Sequence, residues 1–418
     1  MCVAVLLKAP KLLEPDDYAY RASIIALSHG HLLLTNAQFM ALNSQLSTHG
    51  VEGIYQWVRL ANGKWISQKN PGYPFFAVVF QWLHALRWAP LFYGALACAG
   101  LFYGARRWLG PWGGAYAVVL YCSAGDALIF AWRATMPTYT DASLIAAAAG
   151  LLLGVLLATK DPPARRLGFG VLAFLALDGA TLIRYTDVVV LVVAIIAVGA
   201  LYRICALTRF MVFSWFVVVA LFAIGDLALN RYLYGGVFKT GYRSGLVTFK
   251  ASAILPNVER IPLLLVEGLP MVILALASLV WIALRLIPSR ASHDSTATAA
   301  RRDGVIALAL AAAWFAVWAL YATYTWTAGQ TRGHIIAIHV VRFYMPTLGL
   351  IALLAAWALM QLPRWFAPAV LVVVAGLGLW VYQSPSNYRI VHVAPPVRQI
   401  SRPGPPATVT TTTSTLPQ

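Results

Sequence analysis

Phe210-Met-Val-Phe-Ser-Trp-Phe-Val-Val-Val-Ala-Leu-Phe-Ala-Ile-Gly-Asp-Leu-Ala-Leu229 is an apolar run whose one charge is Asp226. A hydrocarbon core of about 30 Å takes about 20 helical residues to cross, so the run predicts a transmembrane helix. Further spans read the same way at 88–105, 111–131, 141–159, 167–183, 187–202, 263–287, 305–325, 343–362 and 366–382. The composition agrees. Hydrophobic residues make up 60% of the chain and charged residues 11%, with a mean hydropathy of +0.73. Soluble domains carry roughly 25% charged residues. The expected fold is all-α, a polytopic transmembrane helix bundle of about ten or eleven spans.

Working outward, the connections fall into two sets. Arg106-Arg107, Lys160 with Arg165-Arg166, Arg203 with Arg209, the stretch from Arg285 to Arg302, and Arg364 mark short or polar loops dense in arginine. The positive-inside bias makes these cytoplasmic. The other set then lies outside: the first loop, 132–140, 184–187, 230–262 and 327–342. The division expected is a partial first transmembrane helix at 1–13, whose beginning lies upstream, and an extracytoplasmic loop with interfacial helices at 14–87. The bundle follows at 88–382, then a disordered extracytoplasmic Pro/Thr-rich tail at 383–418. Within the first loop, an amphipathic helical run is expected from Tyr18 to Leu34.

A net charge of +17 suits cytoplasmic loops, lipid headgroups or an anionic ligand. Nucleic acid is a weak alternative and is not expected as a partner, because the sequence shows no soluble basic domain to carry it. The outer set also carries arginines at its membrane boundaries: Arg133, Arg184, Arg231, Arg243, Arg332 and Arg342. Positive-inside topology disfavours them there. Each can snorkel to headgroups, but their number on one face favours a bound anion, since the guanidinium fork suits phosphate.

The first loop opens with Leu13-Glu14-Pro15-Asp16-Asp17-Tyr18-Ala19-Tyr20-Arg21. Pro15 reads as a stop or turn, and Asp16 or Asp17 as the N-cap of the helix that follows. Successive helical residues point about 100° apart, so the two aspartates have separate roles. One faces a reaction site and the other caps or orients; an ordinary acidic cap accounts for the pair equally well. Asp178 and Asp226 lie within apolar runs, where an acid is a functional hypothesis by default. His29 with His31, and His334 with His339, lack the i,i+4 spacing that places two imidazoles on one helical face, so no metal site is expected. The four cysteines form no CxxC pair and read as small buried apolar residues.

The order of motifs resembles the GT-C superfamily of membrane glycosyltransferases, which includes protein O-mannosyltransferases and aminoarabinose transferases. The resemblance runs from about Glu14 to Leu359. Its elements are Asp16-Asp17-Tyr18, then Asn70-Pro71-Gly72-Tyr73-Pro74, then Arg133 through Asp141. Asn230 to Gly235 with Thr240-Gly241-Tyr242 follows, and then Arg342-Phe343-Tyr344-Met345-Pro346. The acidic pair is Asp-Asp where the O-mannosyltransferases have Asp-Glu, and no soluble C-terminal domain is recognisable.

The resemblance implies a polyprenyl-phosphate-linked sugar donor, a glycan, lipid or protein acceptor, and transfer at the outer face of a multi-pass membrane protein. Asp16 is then the base, with Asp17 second. Arg133, Arg184, Arg342 and Lys69 are candidates for the donor phosphate. Tyr73, Asp141, Tyr185 and Tyr242 are candidates for substrate contact, with Asp141 equally an N-cap. No cofactor is implied. A transporter or flippase of a lipid-linked sugar, or a polymerase or ligase using a lipid diphosphate, would share the same charges.

Overall fold

The computed structural model describes residues 15–46, 56–242, 248–286, 295–330 and 337–383. The expected partial helix at 1–13, Glu14, Arg243, Arg332, His334 and the tail from 384 lie outside these residues.

The described residues begin with a small unit of two helices and a hairpin. Helix α1 (Pro15–Ser28) and α2 (Asn36–Leu46) pack on an antiparallel hairpin of β1 (Trp57–Arg59) and β2 (Trp65–Ser67), with Val58 opposite Ile66. Tyr18, Ala22, Ala26, Phe39, Leu42 and Trp57 form its core. Phe39 stacks on Trp65 with ring centroids 4.1 Å apart. The amphipathic run stops at Ser28 instead of reaching Leu34, because the chain turns at Gly30, whose φ of +78° suits glycine. The hairpin is an addition to the expected helices. Its turn holds Asn62-Gly63, with Gly63 at φ +79°, a pair that favours tight hairpin turns.

Helix α3 (Gly72–Trp82) leads into the bundle and presents Phe75, Val79 and Trp82 outward. The bundle continues through α4 (Ala89–Cys122), α5 (Gly125–Ala131), α6 (Thr138–Leu157), α7 (Pro163–Ile183), α8 (Val188–Leu201) and α9 (Arg209–Tyr234). Then come α10 (Ile254–Gly268), α11 (Met271–Leu286), α12 (Ser295–Ala322), α13 (Thr325–Gln330), α14 (Ala337–Val341), α15 (Leu348–Leu359) and α16 (Ala367–Gln383). Helix α4 is a hairpin in itself. Gly110, at φ +81° before Pro111, folds it back so that the Cys98 and Cys122 sulfurs lie 3.4 Å apart as free thiols. A straight helix rising about 1.5 Å per residue would separate them by about 36 Å.

Among the described residues, five helices are long and apolar enough to cross a bilayer, or six if α10 and α11 form one span bent by 109°. Three more apolar helices are shorter. The count falls below the ten expected spans for local reasons. Two of those spans are the arms of α4. Leu269-Pro270 breaks the run 263–287, and the turn at Met345-Pro346-Thr347 shortens 343–362.

Small residues let the central helices touch. Gly100 and Gly104 on α4 lie backbone to backbone against Ala147 and Gly150 on α6, with no room for a Cβ. Such close approach is how helices associate where lipid removes the hydrophobic drive between them. At one end of the bundle, Arg107 reaches Asp161 at 2.8 Å, and Arg166 donates to the carbonyls of Cys205 and Ala206 at 2.7 and 3.1 Å. These turns belong to the set expected to be cytoplasmic. Loops of the other set meet at the opposite end, around a cavity. Gly150→Val forces a side chain into the Gly100 backbone. It is expected to destabilise the protein by about 1–3 kcal/mol, read as a lower unfolding temperature in detergent beside an unchanged Gly199→Ala control, whose added Cβ meets nothing.

Candidate active site

The first turn of α1 sets the site. Pro15 is the first described residue of α1 and lies in its first turn, where proline is tolerated. Asp16 and Asp17 follow in the same turn, and the helical rotation sends their carboxylates to different places.

Asp16 lines a cavity of about 740 Å³. Lys69 Nζ lies 3.0 Å from its Oδ1 and Arg342 Nη2 lies 3.2 Å from its Oδ2. Gln56 Nε2 donates to Oδ1 at 2.7 Å. Burial by itself would raise the pKa of this carboxyl. The charges of Lys69 and Arg342 and the Gln56 hydrogen bond reverse that and hold it well below the usual carboxylate range. The helix–hairpin unit makes this possible: α1 carries Asp16, Gln56 precedes β1, and Lys69 follows β2.

Asp17 is fully buried. Its Oδ2 receives Arg133, itself 3% exposed, and its Oδ1 accepts from Thr135 Oγ1 at 2.7 Å. The loop between α5 and α6 is thereby tied to α1. Tyr73 strengthens the tie: its hydroxyl donates to the Ala134 carbonyl, and its ring meets Tyr20 edge to face at 5.7 Å.

Arg184 follows α7 and lines the cavity. Its Nε sits 3.2 Å from Oδ2 of Asp141, in the first turn of α6. Its other nitrogens donate to Thr138 Oγ1 at 3.1 Å and to the Arg342 carbonyl at 3.2 Å. Phe343 lies beneath both guanidiniums, 5.8 Å from Arg184 and 5.0 Å from Arg342. Tyr185 lines the cavity and donates to Asn230 Oδ1 at 2.8 Å. Tyr242 lines it beneath Lys69, whose Nζ is 5.5 Å from the ring.

Of the residues singled out by sequence, the cavity brings together Asp16, Lys69, Arg184, Arg342, Tyr185 and Tyr242. Asp17, Arg133, Tyr73 and Asp141 lie behind it and hold its walls. Arg133 is therefore placed away from any anion in the cavity, because its guanidinium is buried on Asp17. Asp178 and Asp226 do not line the cavity either, and Asn230, one turn from Asp226, receives Tyr185.

Sequence reasoning missed several lining residues: Gln56, Tyr20, Phe249, Tyr321, Tyr324, Trp326, His339 and Phe343. The aromatic cluster of 321–326 and Phe343 was visible as composition but reads as interfacial anchoring. Gln56 carries no local signal. Among the described residues, no three His, Cys, Asp or Glu side chains gather as a metal site. Among the described residues, the lining charges are three cations and one carboxylate, at the end of an apolar bundle. That arrangement fits an anion attached to an apolar tail.

The architecture is similar to the helical fold of solved structures of ArnT and of an archaeal oligosaccharyltransferase, the fold that the resemblance to GT-C glycosyltransferases implies. ArnT from Cupriavidus metallidurans bound to undecaprenyl phosphate superposes with a TM-score of 0.56 at 17% identity, covering 89% of this chain and 61% of that one. Its apo form gives 0.54 at 17% identity over 89% and 60%. The Archaeoglobus fulgidus oligosaccharyltransferase in its apo form gives 0.51 at 12% identity over 95% of this chain and 54% of that one. The chain thus spans about three fifths of the length of ArnT. No family model matches the sequence, and no curated protein matches it.

Removing one partner of a buried ion pair leaves the other charge unpaired, at about 3–5 kcal/mol. Asp17→Asn is therefore expected to lower the unfolding temperature in detergent sharply, whereas Asp16→Asn, whose 15% exposed carboxylate borders the open cavity, is expected to lower it less. Equal melting of Asp17→Asn and wild type would refute the structural role of the Asp17–Arg133 pair.

Proposed function

We propose that the protein transfers a sugar from a polyprenyl-phosphate donor to a hydroxyl of a glycan, lipid or protein acceptor, at the extracytoplasmic face of the membrane. The observation that carries this reading is that, among the described residues, one carboxylate shares a cavity with Lys69, Arg184 and Arg342, at the mouth of an apolar bundle. The fold it shares with ArnT, a protein crystallised with undecaprenyl phosphate, supports it. The side is argued from charge: the cavity lies opposite the arginine-dense turns, and the positive-inside bias makes those cytoplasmic.

The chemistry follows from the residues. The acceptor oxygen bonds to the anomeric carbon as the bond from that carbon to the phosphate oxygen breaks. The bonding pair leaves with the lipid phosphate, and the acceptor proton passes to Asp16. Arg184, Arg342 and Lys69 face the charge that grows on the leaving phosphate, in a site largely withdrawn from water. Tyr185 and Tyr242 border the space for the sugar. Asp141 acts through Arg184 and Tyr73 through the 133–135 loop, so both are positioning residues. Arg133 has the same indirect role through Asp17.

The test is transfer in isolated membranes with a panel of labelled polyprenyl-phosphate sugars. Wild type is expected to transfer from at least one donor, and Asp16→Asn to lose about 10²- to 10⁴-fold in rate, the usual contribution of a positioned base. Equal rates would remove Asp16 from that role. Arg184→Ala is expected to raise the apparent KM for the donor by about 10- to 100-fold, the worth of one charge-assisted hydrogen bond, with the acceptor KM little changed. A shift in the acceptor KM alone would move Arg184 out of the phosphate site.

A further inference from the structure

Two of the cations assigned to the donor phosphate are held by the proposed base itself, while the third, Arg184, is paired with Asp141 behind the cavity. Lys69 and Arg342 each hold one oxygen of Asp16, at 3.0 and 3.2 Å. All three side chains are largely withdrawn from water, at 10%, 9% and 15% exposure. The same carboxylate is the proposed proton acceptor. These two roles conflict in the arrangement seen. Cations that stabilise a carboxylate also weaken its hold on a proton, and a base needs a proton affinity matched to its task.

The geometry also contains the resolution. A carboxylate offers two oxygens to two cations, and a phosphate offers two oxygens in much the same way, with greater charge. Asp16 borders 740 Å³ of open cavity, so its carboxylate has somewhere to go. Its remaining described partner is the neutral Gln56 amide at 2.7 Å, which can keep the carboxylate oriented without neutralising it. Arg184 lines the same cavity, held from behind by Asp141 and the Arg342 carbonyl. It gives an arriving anion a first contact that requires no exchange.

We propose that a phosphate anion displaces the Asp16 carboxylate from between Lys69 and Arg342, so that binding of the donor is itself what frees Asp16 to accept a proton. The inference rests on the reading of Asp16 as the base. It makes the order of events a property of the site: anion first, proton transfer second. Without the anion, the carboxylate stays clamped and the empty site holds no active base.

The test is direct binding to the purified protein in detergent, with no turnover involved. Undecaprenyl phosphate and inorganic phosphate are the two probes, and wild type, Asp16→Asn and Asp16→Ala the three proteins. If carboxylate and phosphate compete for the same cations, removing the carboxylate charge tightens binding. Both variants are expected to bind about tenfold tighter or more, the equivalent of one pKa unit of interaction. Lys69→Met in the Asp16→Asn background is expected to reverse the gain. Tightening with both probes supports the exchange and makes phosphate itself the ligand. Tightening with undecaprenyl phosphate alone supports it and assigns the anion to the lipid. Unchanged or weaker binding of both probes by both variants overturns it. The two readings separate cleanly. If wild type transfers sugar and the variants do not bind tighter, the exchange falls and the transferase stands. If the variants bind tighter and wild type transfers nothing, the exchange stands and the transferase reading falls.

Discussion

A charge withdrawn into an apolar bundle has to find its opposite, and the Asp17–Arg133 pair is where this protein meets that demand most strictly. Both groups are almost wholly buried. An isolated ion in such surroundings is prohibitively unfavourable, so neither residue is stable there without the other. The pair joins α1 to the loop between α5 and α6, across 116 residues of sequence. Thr135 and Tyr73 secure the same loop, through Oδ1 of Asp17 and the carbonyl of Ala134. With Asp17 fixed, the helical rotation leaves Asp16 one direction to point, and that direction is the cavity.

The same demand recurs around the cavity, each time with a different degree of completion. Asp141 is fully buried and faces Arg184, whose remaining nitrogens are taken by Thr138 and the Arg342 carbonyl. That arginine is fixed in direction while its charge still reaches the cavity. Asp16 is the least withdrawn of the three acids and the one that shares its charge between two cations. Asp17 and Asp141 are equally buried and hold the walls, whereas Asp16, 15% exposed, is the acid that borders the cavity. Desolvation sets how strictly a pair must stay closed.

Much of this was legible in the sequence, and what was not has a physical cause. Bilayer-length apolar runs and the sorting of arginines between two sets of loops carry the architecture, because a hydrocarbon core constrains length and charge so strongly. The two ends of the bundle hold the loops that sorting assigns to them. Asp16 and Asp17 separate on helical geometry alone. Arg133, Arg184 and Arg342 do not separate: each is an arginine beside a span, and its role depends on a partner far along the chain. Span counting also falters where a proline or a single glycine decides, as at Pro270 and Gly110. The β-hairpin escapes detection because strands of three residues have no usable period. Phe39 stacking on Trp65 supports it, and that contact is tertiary. Gln56 is placed by that hairpin, so it shares the hairpin's invisibility.

The aromatic wall explains why the cavity's cations are not interchangeable. Arg342 lies over Phe343 and, at 5.8 Å, over Trp326, and Arg184 shares the Phe343 ring. Phe343 in turn packs against Tyr321, Tyr324 and Trp326, and Tyr324 stacks on Phe249 at 5.2 Å. Backbone hydrogen bonds from Lys250 to Thr323 and from Thr325 to Thr248 brace that stack. Planar guanidiniums held on rings lose little freedom when they meet an anion, which is what preorganisation requires. Lys69 is different in kind. Its ammonium ends a flexible four-carbon stem and rests over a single ring, Tyr242. On the proposed reading, the arginines define where the anion sits, and Lys69 is the member able to follow it. An exchange of Asp16 for phosphate needs only the flexible cation and the carboxylate to move, while the rigid pair stays where the aromatic wall holds it.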